Sequence, residues 1–261
     1  MMLRYLARRA FLLAFVLVAL TVFSFSLNFM FPGDLLTNIT GLRDIPSEQR
    51  QELSQAMGLD HGYLRQYIDY TRRIVAGEWG LSFASQQPVL AEVRTVLPAT
   101  VELASYALIL SLILGIPSGI IAAVRKEKWL DNAISGFALV GYSVPIFWWA
   151  LLLIMIFSLQ LGWLPTSGRI GVLYEVPHHT GFMLLDIWLS DLPYKHAAFR
   201  DALIHLTLPT LVLATYPTTV MMRFVRESML EVLDKNYIKT ARAKGLNRAQ
   251  VLYKHGLRNA L

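Results

Sequence analysis

The stretch from Leu103 to Val124 reads LASYALILSLILGIPSGIIAAV and carries no charge from end to end. An α-helix of about 20 apolar residues crosses the roughly 30 Å of hydrocarbon in a bilayer, so this stretch is expected to span a membrane. Three more uncharged runs stand in the chain: Ala10 to Phe31, Ala133 to Trp163, and Ala202 to Met222. The third is longer than one perpendicular crossing needs, which predicts tilt or an interfacial end. The fourth carries His205, Pro209 and Pro217. Backbone groups in lipid must bond within their own segment, so each run reads as a helix. Pro117, Pro145, Pro209 and Pro217 fall inside these helices and are tolerated where neighbouring helices cover the freed carbonyls. A bundle of four helices is expected rather than isolated anchors.

The whole composition agrees. The 261 residues are 55% hydrophobic and 16% charged, with a mean hydropathy of +0.46. Soluble domains carry about a quarter charged residues. With no cysteine, neither a disulfide framework nor a thiolate metal site is available. Arg4, Arg8 and Arg9 precede the first run as they would in a signal peptide, but Phe29-Met30-Phe31-Pro32 lacks the small residues of a cleavage site.

Basic residues sort to the cytoplasmic side of a membrane protein. The tail 1–9 has three arginines and no acid, and the short loop after the second run holds Arg125, Lys126 and Lys128. From Arg223 onward nine basic residues face three acidic ones. The other two loops are net acidic, with six basic against eight acidic residues before Leu97, and three against four between Leu164 and Asp201. All three basic regions share one side if the spans alternate. The expected organisation is a cytoplasmic tail 1–9, a span 10–31, a periplasmic loop 32–97 and a second span 98–124. A cytoplasmic loop 125–132 then precedes a third span 133–163 and a periplasmic loop 164–201. The fourth span 202–224 leads to a cytoplasmic segment 225–261, leaving both visible termini cytoplasmic. The net charge of +6 follows this topology and gives no reason to invoke nucleic acid.

In the first external loop, Ser47 to Met57 is expected to form a short helix closed by Gly58, and Tyr63 to Ala76 another closed by Gly77. The aromatics Tyr63, Tyr67, Tyr70, Trp79 and Phe83 pack a small cap onto the bundle or form a docking surface. In the second loop Leu184, Leu185, Trp188, Leu189 and Leu192 share a helical face, as an interfacial helix would. His178-His179 has no third ligand at metal-site spacing and reads as a solvated pair. His205 reads as a hydrogen-bonded structural residue. Glu102 has two readings: an intramembrane polar site, or an acceptor for free N–H groups at the start of its own helix.

Beyond the fourth span, Glu231 to Leu261 reads EVLDKNYIKTARAKGLNRAQVLYKHGLRNAL. A helix stops at Gly245, because glycine takes the left-handed conformation such an end needs. A second helix begins at Asn247, with Gln250 placed for a capping box. Ala241 and Ala243 leave room for another surface, ringed by Lys239, Arg242, Lys244 and Arg248. Such a basic helix–turn–helix suits either a partner's groove or anionic lipid.

Lys239-Thr240-Ala241 and Gly245 resemble the Glu-Ala-Ala…Gly cytoplasmic loop of ABC importer permeases, in the form typical of the oligopeptide and dipeptide branch. Leu3–Arg9, Met57–Asp60, Gly80–Phe83, Leu97–Leu103 and Ser228–Leu233 look like the same branch. Leu161–Arg169, Tyr174-Glu175-Val176 and Leu185–Asp191 look closest to its Sap-type permeases, associated with antimicrobial-peptide resistance and, in some bacteria, putrescine export. The resemblance implies an all-α integral membrane protein, a helical bundle of the type I ABC importer permease kind. Four of an expected six spans are present, so the chain is expected to be C-terminally incomplete.

The resemblance further implies that residues Lys239, Thr240, Ala241, Arg242, Ala243, Lys244 and Gly245 form the ATPase-coupling loop. The partners would be a second homologous permease, cytoplasmic ATP-binding subunits, a periplasmic substrate-binding protein and the lipid bilayer of the inner membrane. The chain has no G-x-x-x-x-G-K-[ST] phosphate loop, so ATP hydrolysis is expected in a partner, and no cofactor is implied. Related permeases also serve polyamines and nickel. A membrane enzyme is disfavoured, since no paired carboxylates or nucleophile–base arrangement falls within the spans. A non-transporting scaffold is the reading from another class if the chain ends where the sequence does.

Overall fold

The computed structural model describes residues 2–30, 46, 49, 61–82, 85, 87–247 and 250–260, with backbone alone at 3, 28–30, 242, 253–255 and 260. The chain divides into two compact units, 1–96 and 97–261. Among the described residues the regular structure is helical, apart from one isolated bridge between Leu81 and Pro88.

In the first unit α1 spans Met2–Met30 and α2 spans Tyr63–Ala76. The α1 helix is apolar on every face, with Phe11, Phe15, Leu17 and Phe23 all exposed, which is the signature of a segment made for lipid or a protein partner. Its later turns receive α2. The Thr21 and Tyr67 hydroxyls are 2.8 Å apart, the Tyr70 hydroxyl donates to Ser24 Oγ at 3.3 Å, and the Phe25 ring lies 5.6 Å from both tyrosine rings. Two of the loop aromatics therefore pack against the span, while Tyr63 and Trp79 stay exposed. Gly77 closes α2 at φ 86°, with its own N–H donating to Ile74 O and that of Glu78 to Arg73 O. The expected helix at Ser47–Met57, its stop at Gly58, and Phe83 lie outside the described residues.

The second unit is built on two long helices, α3 (Val89–Val124, which begins just before the unit's boundary) and α7 (Lys195–Leu233). Tyr106, in the first half of α3, packs with Ala198 and Ala202 near the start of α7. Ile120 and Ala123, near its end, pack with Val225 and Met229 near the end of α7. The two helices thus run parallel. Small residues let them touch: a Cβ on Gly119 would stand 2.8 Å from Met222 O and from Val225 Cβ, and one on Gly115 2.8 Å from Met221 Cβ.

The return path between them is α4 (Trp129–Ser143) and α5 (Ile146–Leu153), the latter continuing as a π-helical stretch to Gln160. The two halves meet at 106°, so the third run is not the single helix, tilted or with an interfacial end, that the sequence led us to expect. Proline disfavours the helical conformation in the residue before it, and Val144 is extended (φ −82°, ψ 128°). Pro145 therefore breaks this span, whereas Pro117, Pro209 and Pro217 sit inside unbroken helices.

A bent pair of this kind can run the length of its neighbour or fold back along it, and the contacts with α7 show the path it takes. Asp131 meets Arg226, Gly141 lies against Thr219 and Thr215, Leu153 packs on Leu208 and Val212, and Gly171 bonds Asp201. Contact moves steadily from the end of α7 to its start. The segment follows one bent path antiparallel to α7.

Helix lengths also differ from the apolar runs. The α3 helix starts at Val89, well before Leu103, and α7 runs to Leu233, beyond Met222. At 1.5 Å per residue they are about 54 and 58 Å long, so both project past a 30 Å hydrocarbon layer. A helix does not end where its apolar residues do.

Candidate functional site

At the Val124 end of the second unit, α7 gives way to α8 (Asn236–Ala243). Gly245 ends that helix at φ 80°, with the Lys244 N–H donating to Thr240 O at 3.0 Å. The following turn is a reciprocal capping box: Gln250 N–H donates to Asn247 Oδ1 at 2.8 Å, and Asn247 N–H to Gln250 Oε1 at 3.2 Å. The chain then forms a π-helical stretch, Val251–Leu257, and a final turn, Arg258–Ala260.

The loop has an inner and an outer face. Ile238 and Ala241 are buried with Val232 and Val251, so Ala241 packs into the chain's own core instead of leaving room for a partner. Lys239, Thr240, Ala243, Lys244 and Gly245 are exposed and form the outer face. Arg242 lies on the helix with its side chain outside what the structure describes, as does Arg248 entirely. A Cβ on Gly245 would meet nothing within 4 Å, so the surface there is open. Beneath the loop a cavity of about 700 Å³ separates part of it from the end of α3, bounded by Val124, Lys126, Leu233, Leu246 and Leu252.

One polar node stands beside this loop. Asp131, in the first turn of α4 and 2% exposed, accepts two hydrogen bonds from Arg226 of α7, from Nε at 2.6 Å and Nη2 at 2.8 Å. It also accepts the Glu127 N–H at 2.9 Å. Sequence reading counted Arg226 only among the basic residues from Arg223 onward and gave Asp131 no role. Their pairing lies 95 positions apart, and the one hint was an acid among the basic residues of a short loop.

The opposite end holds Glu102, which is buried at 3% exposure within α3, well inside the helix that begins at Val89. It does not accept N–H groups at the start of its own helix. Instead it receives the Met183 and Leu184 N–H groups, each at 3.0 Å, at the start of α6 (Met183–Leu189), together with Arg169 Nη2 at 2.7 Å. The chemistry expected of a carboxylate at a helix start is present, on another helix.

Around it the segment 164–194 forms a folded cap. Asp186 accepts the Thr180 N–H and hydroxyl and the Gly181 N–H, and Arg169 also donates to Gly181 O. Burial alone would raise the Asp186 carboxyl. The bonds from the Thr180 hydroxyl and from backbone N–H groups outweigh it and hold the carboxyl below the ordinary aspartate value. In α6 the faces divide: Met183, Leu184 and Ile187 pack inward, while Leu185, Trp188 and Leu189 are exposed. Leu184 therefore leaves the outward face that the sequence assigned it. His205 Nδ1 lies 2.9 Å from Asp201 O and 3.2 Å from its carboxylate.

Residues 115–261 match the family described as binding-protein-dependent transport system inner membrane component, and residues 2–104 match the N-terminal family of such membrane components. The chain is 42% identical over its whole length to the di/tripeptide transport system permease protein DppB of Pseudomonas aeruginosa, covering 76% of that protein. It is 44% identical over 195 residues, 75% of the chain and 61% of the relative, to the putrescine export system permease protein SapB of Escherichia coli K12. The peptide transport system permease protein SapB of Salmonella typhimurium is 46% identical over 184 residues, 70% of the chain and 57% of the relative.

Proposed function

The chain belongs to the family of binding-protein-dependent transport system inner membrane components, and we propose that it is a permease subunit of an ABC transporter carrying peptides across the cytoplasmic membrane. The observation that carries this reading is the similarity along the entire chain to a di/tripeptide permease. The outer face Lys239, Thr240, Ala243, Lys244 and Gly245 receives a separate cytoplasmic ATPase, with Arg242 on the same helix. The loop's open surface and its rigid glycine stop and capping box support that role. A second permease of the same family and a periplasmic binding protein complete the system.

Orientation follows. The basic loop at Arg125, Lys126 and Lys128 and the α8 loop belong to one end of the second unit, with the Glu102 cap at the other. Basic charge at the first end supports a cytoplasmic assignment for it and a periplasmic one for 164–194. The first loop, 32–97, is periplasmic and the tail 1–9 cytoplasmic in the same scheme. Glu102 then anchors a periplasmic cap and is not a relay within the pathway.

The test is peptide-stimulated ATP hydrolysis and peptide uptake by the complete complex in proteoliposomes. Stimulation by di- or tripeptides supports the reading; a complex that hydrolyses ATP without responding to any peptide overturns it. Similarity to a putrescine export permease favours polyamine as the second cargo reading. Efflux of labelled putrescine that peptides fail to inhibit would select it.

A further inference from the structure

Asp131 does more than neutralise one arginine. Its carboxylate joins three pieces of chain: the α3–α4 turn through the Glu127 N–H, the first turn of α4 on which it sits, and α7 through the guanidinium fork of Arg226. Glu127 is the one non-glycine described residue with positive φ, at 62°, a conformation that costs a side-chain-bearing residue about 1 kcal/mol or more. The carboxylate holds the turn in that shape.

The other contacts at this end of α7 are of a different kind. Val225 and Met229 touch α3 through apolar surface, whose attraction is non-directional, so that spacing there is set by the close fit at Gly119 and not by a polar bond. A bidentate guanidinium–carboxylate pair fixes both spacing and rotation. Arg226 lies ten residues before α8 begins, about 15 Å along a helix axis. Asp131 lies on the near side of the break at Val144–Pro145, the one sharp bend in the third span. Sharp breaks of this kind concentrate bending at a few backbone torsions.

We propose that Asp131 and Arg226 are positioning residues that clamp α4 to the end of α7, so that displacement of the α8 loop moves both as one piece about the break at Val144–Pro145. The inference rests on the reading of the α8 loop as the ATPase contact. Under it, the ATPase moves the near half of the third span directly, while α5 beyond the break changes angle against α4.

Two measurements on the complete complex test this. Because the chain lacks cysteine, spin-label pairs can be introduced cleanly at Ala133→Cys with Glu227→Cys, and at Ala133→Cys with Leu151→Cys, all exposed positions. Between the nucleotide-free and ATP-trapped states the 133–227 distance should hold constant and the 133–151 distance should change. A changed 133–227 distance, or an unchanged 133–151 distance, overturns the clamp. The second measurement uses Arg226→Lys, which keeps the charge and removes the fork. Peptide moved per ATP hydrolysed should fall by about fivefold or more, the scale of a typical coupling energy, with the KM for peptide unaltered. A wild-type ratio in that variant means the pair only balances charge, and sinks the proposal. Failure of the wild-type complex to respond to peptide would instead overturn the transporter reading, and is distinguishable because it precedes both tests.

Discussion

Gly245 stands at φ 80°, where any other L-residue is strained, yet its missing Cβ faces open space. Replacing it with aspartate therefore meets no clash inside the chain. The costs are about 1 kcal/mol of backbone strain and a carboxylate on the exposed outer face of the loop. Gly245→Asp should insert normally and lose peptide-stimulated ATP hydrolysis, while Gly245→Asn, which tolerates the left-handed conformation about as well and lacks the charge, should retain much more of it. Equal losses in the two variants would point to the backbone instead of the charge. At the opposite end, Glu102→Ala strands two helix-start N–H groups and Arg169. Breaking a buried pair by removing one partner costs about 3–5 kcal/mol, and the third of Arg169 that remains exposed puts the expectation nearer 2–3 kcal/mol. Faster protease cleavage within 164–182 would report it. Asp186 binds fewer protons in the folded cap than in the unfolded chain, since its carboxyl lies below the ordinary value. Its stabilisation is complete above the unfolded aspartate pKa of about 3.9 and disappears as pH falls through the lowered folded value. Cap protection should thus decline below about pH 4, and Asp186→Asn should weaken the cap at neutral pH while flattening that decline, as read by proteolysis with a neutral protease and, in the acid range, with an acid protease.

Among the elements, α3 and α7 approach closely where small residues face each other. Gly119 has no slack against the Met222 carbonyl and Val225, so Gly119→Leu forces the two helices apart. Overpacking of this kind costs about 1–3 kcal/mol, which should appear as a lower melting temperature in detergent, whereas substitution at Gly136, which faces open space, should be neutral. The third span shows how far pattern reading reaches. Its uncharged run from Ala133 to Trp163 pointed to a crossing, and its excess length pointed to tilt or an interfacial end. Hydropathy does not distinguish a tilted helix from a broken one. Pro145 was visible but looked no different from Pro117, Pro209 and Pro217, because whether a proline breaks a helix depends on what neighbours supply to the freed backbone. The loop was more legible: the stop at Gly245 and the Asn247–Gln250 box are local geometry, governed by residues three or four apart.

For the whole molecule, the expected topology has both ends of the chain on the cytoplasmic side and the Glu102 cap outside. A membrane-impermeant thiol reagent applied to intact spheroplasts should label Ser167→Cys and spare Asn236→Cys, with the order reversed in inside-out vesicles. Labelling of both from one side would refute α7 as a crossing as well as the orientation. The sequence by itself determined that this chain is a helical membrane protein, which segments are long and apolar enough to be candidate spans, which loops are basic, and where the α8 loop turns. Those properties follow from lipid's intolerance of unpaired backbone and charge, and from turn chemistry that acts over a few residues. Only the tertiary structure decided that α3 and α7 run parallel, that Ala241 faces inward, and that Glu102 pairs with Arg169 and Asp131 with Arg226. These partners stand 67 and 95 residues apart, and a carboxylate's partner at such separation is set by how helices pack, information that no local pattern carries.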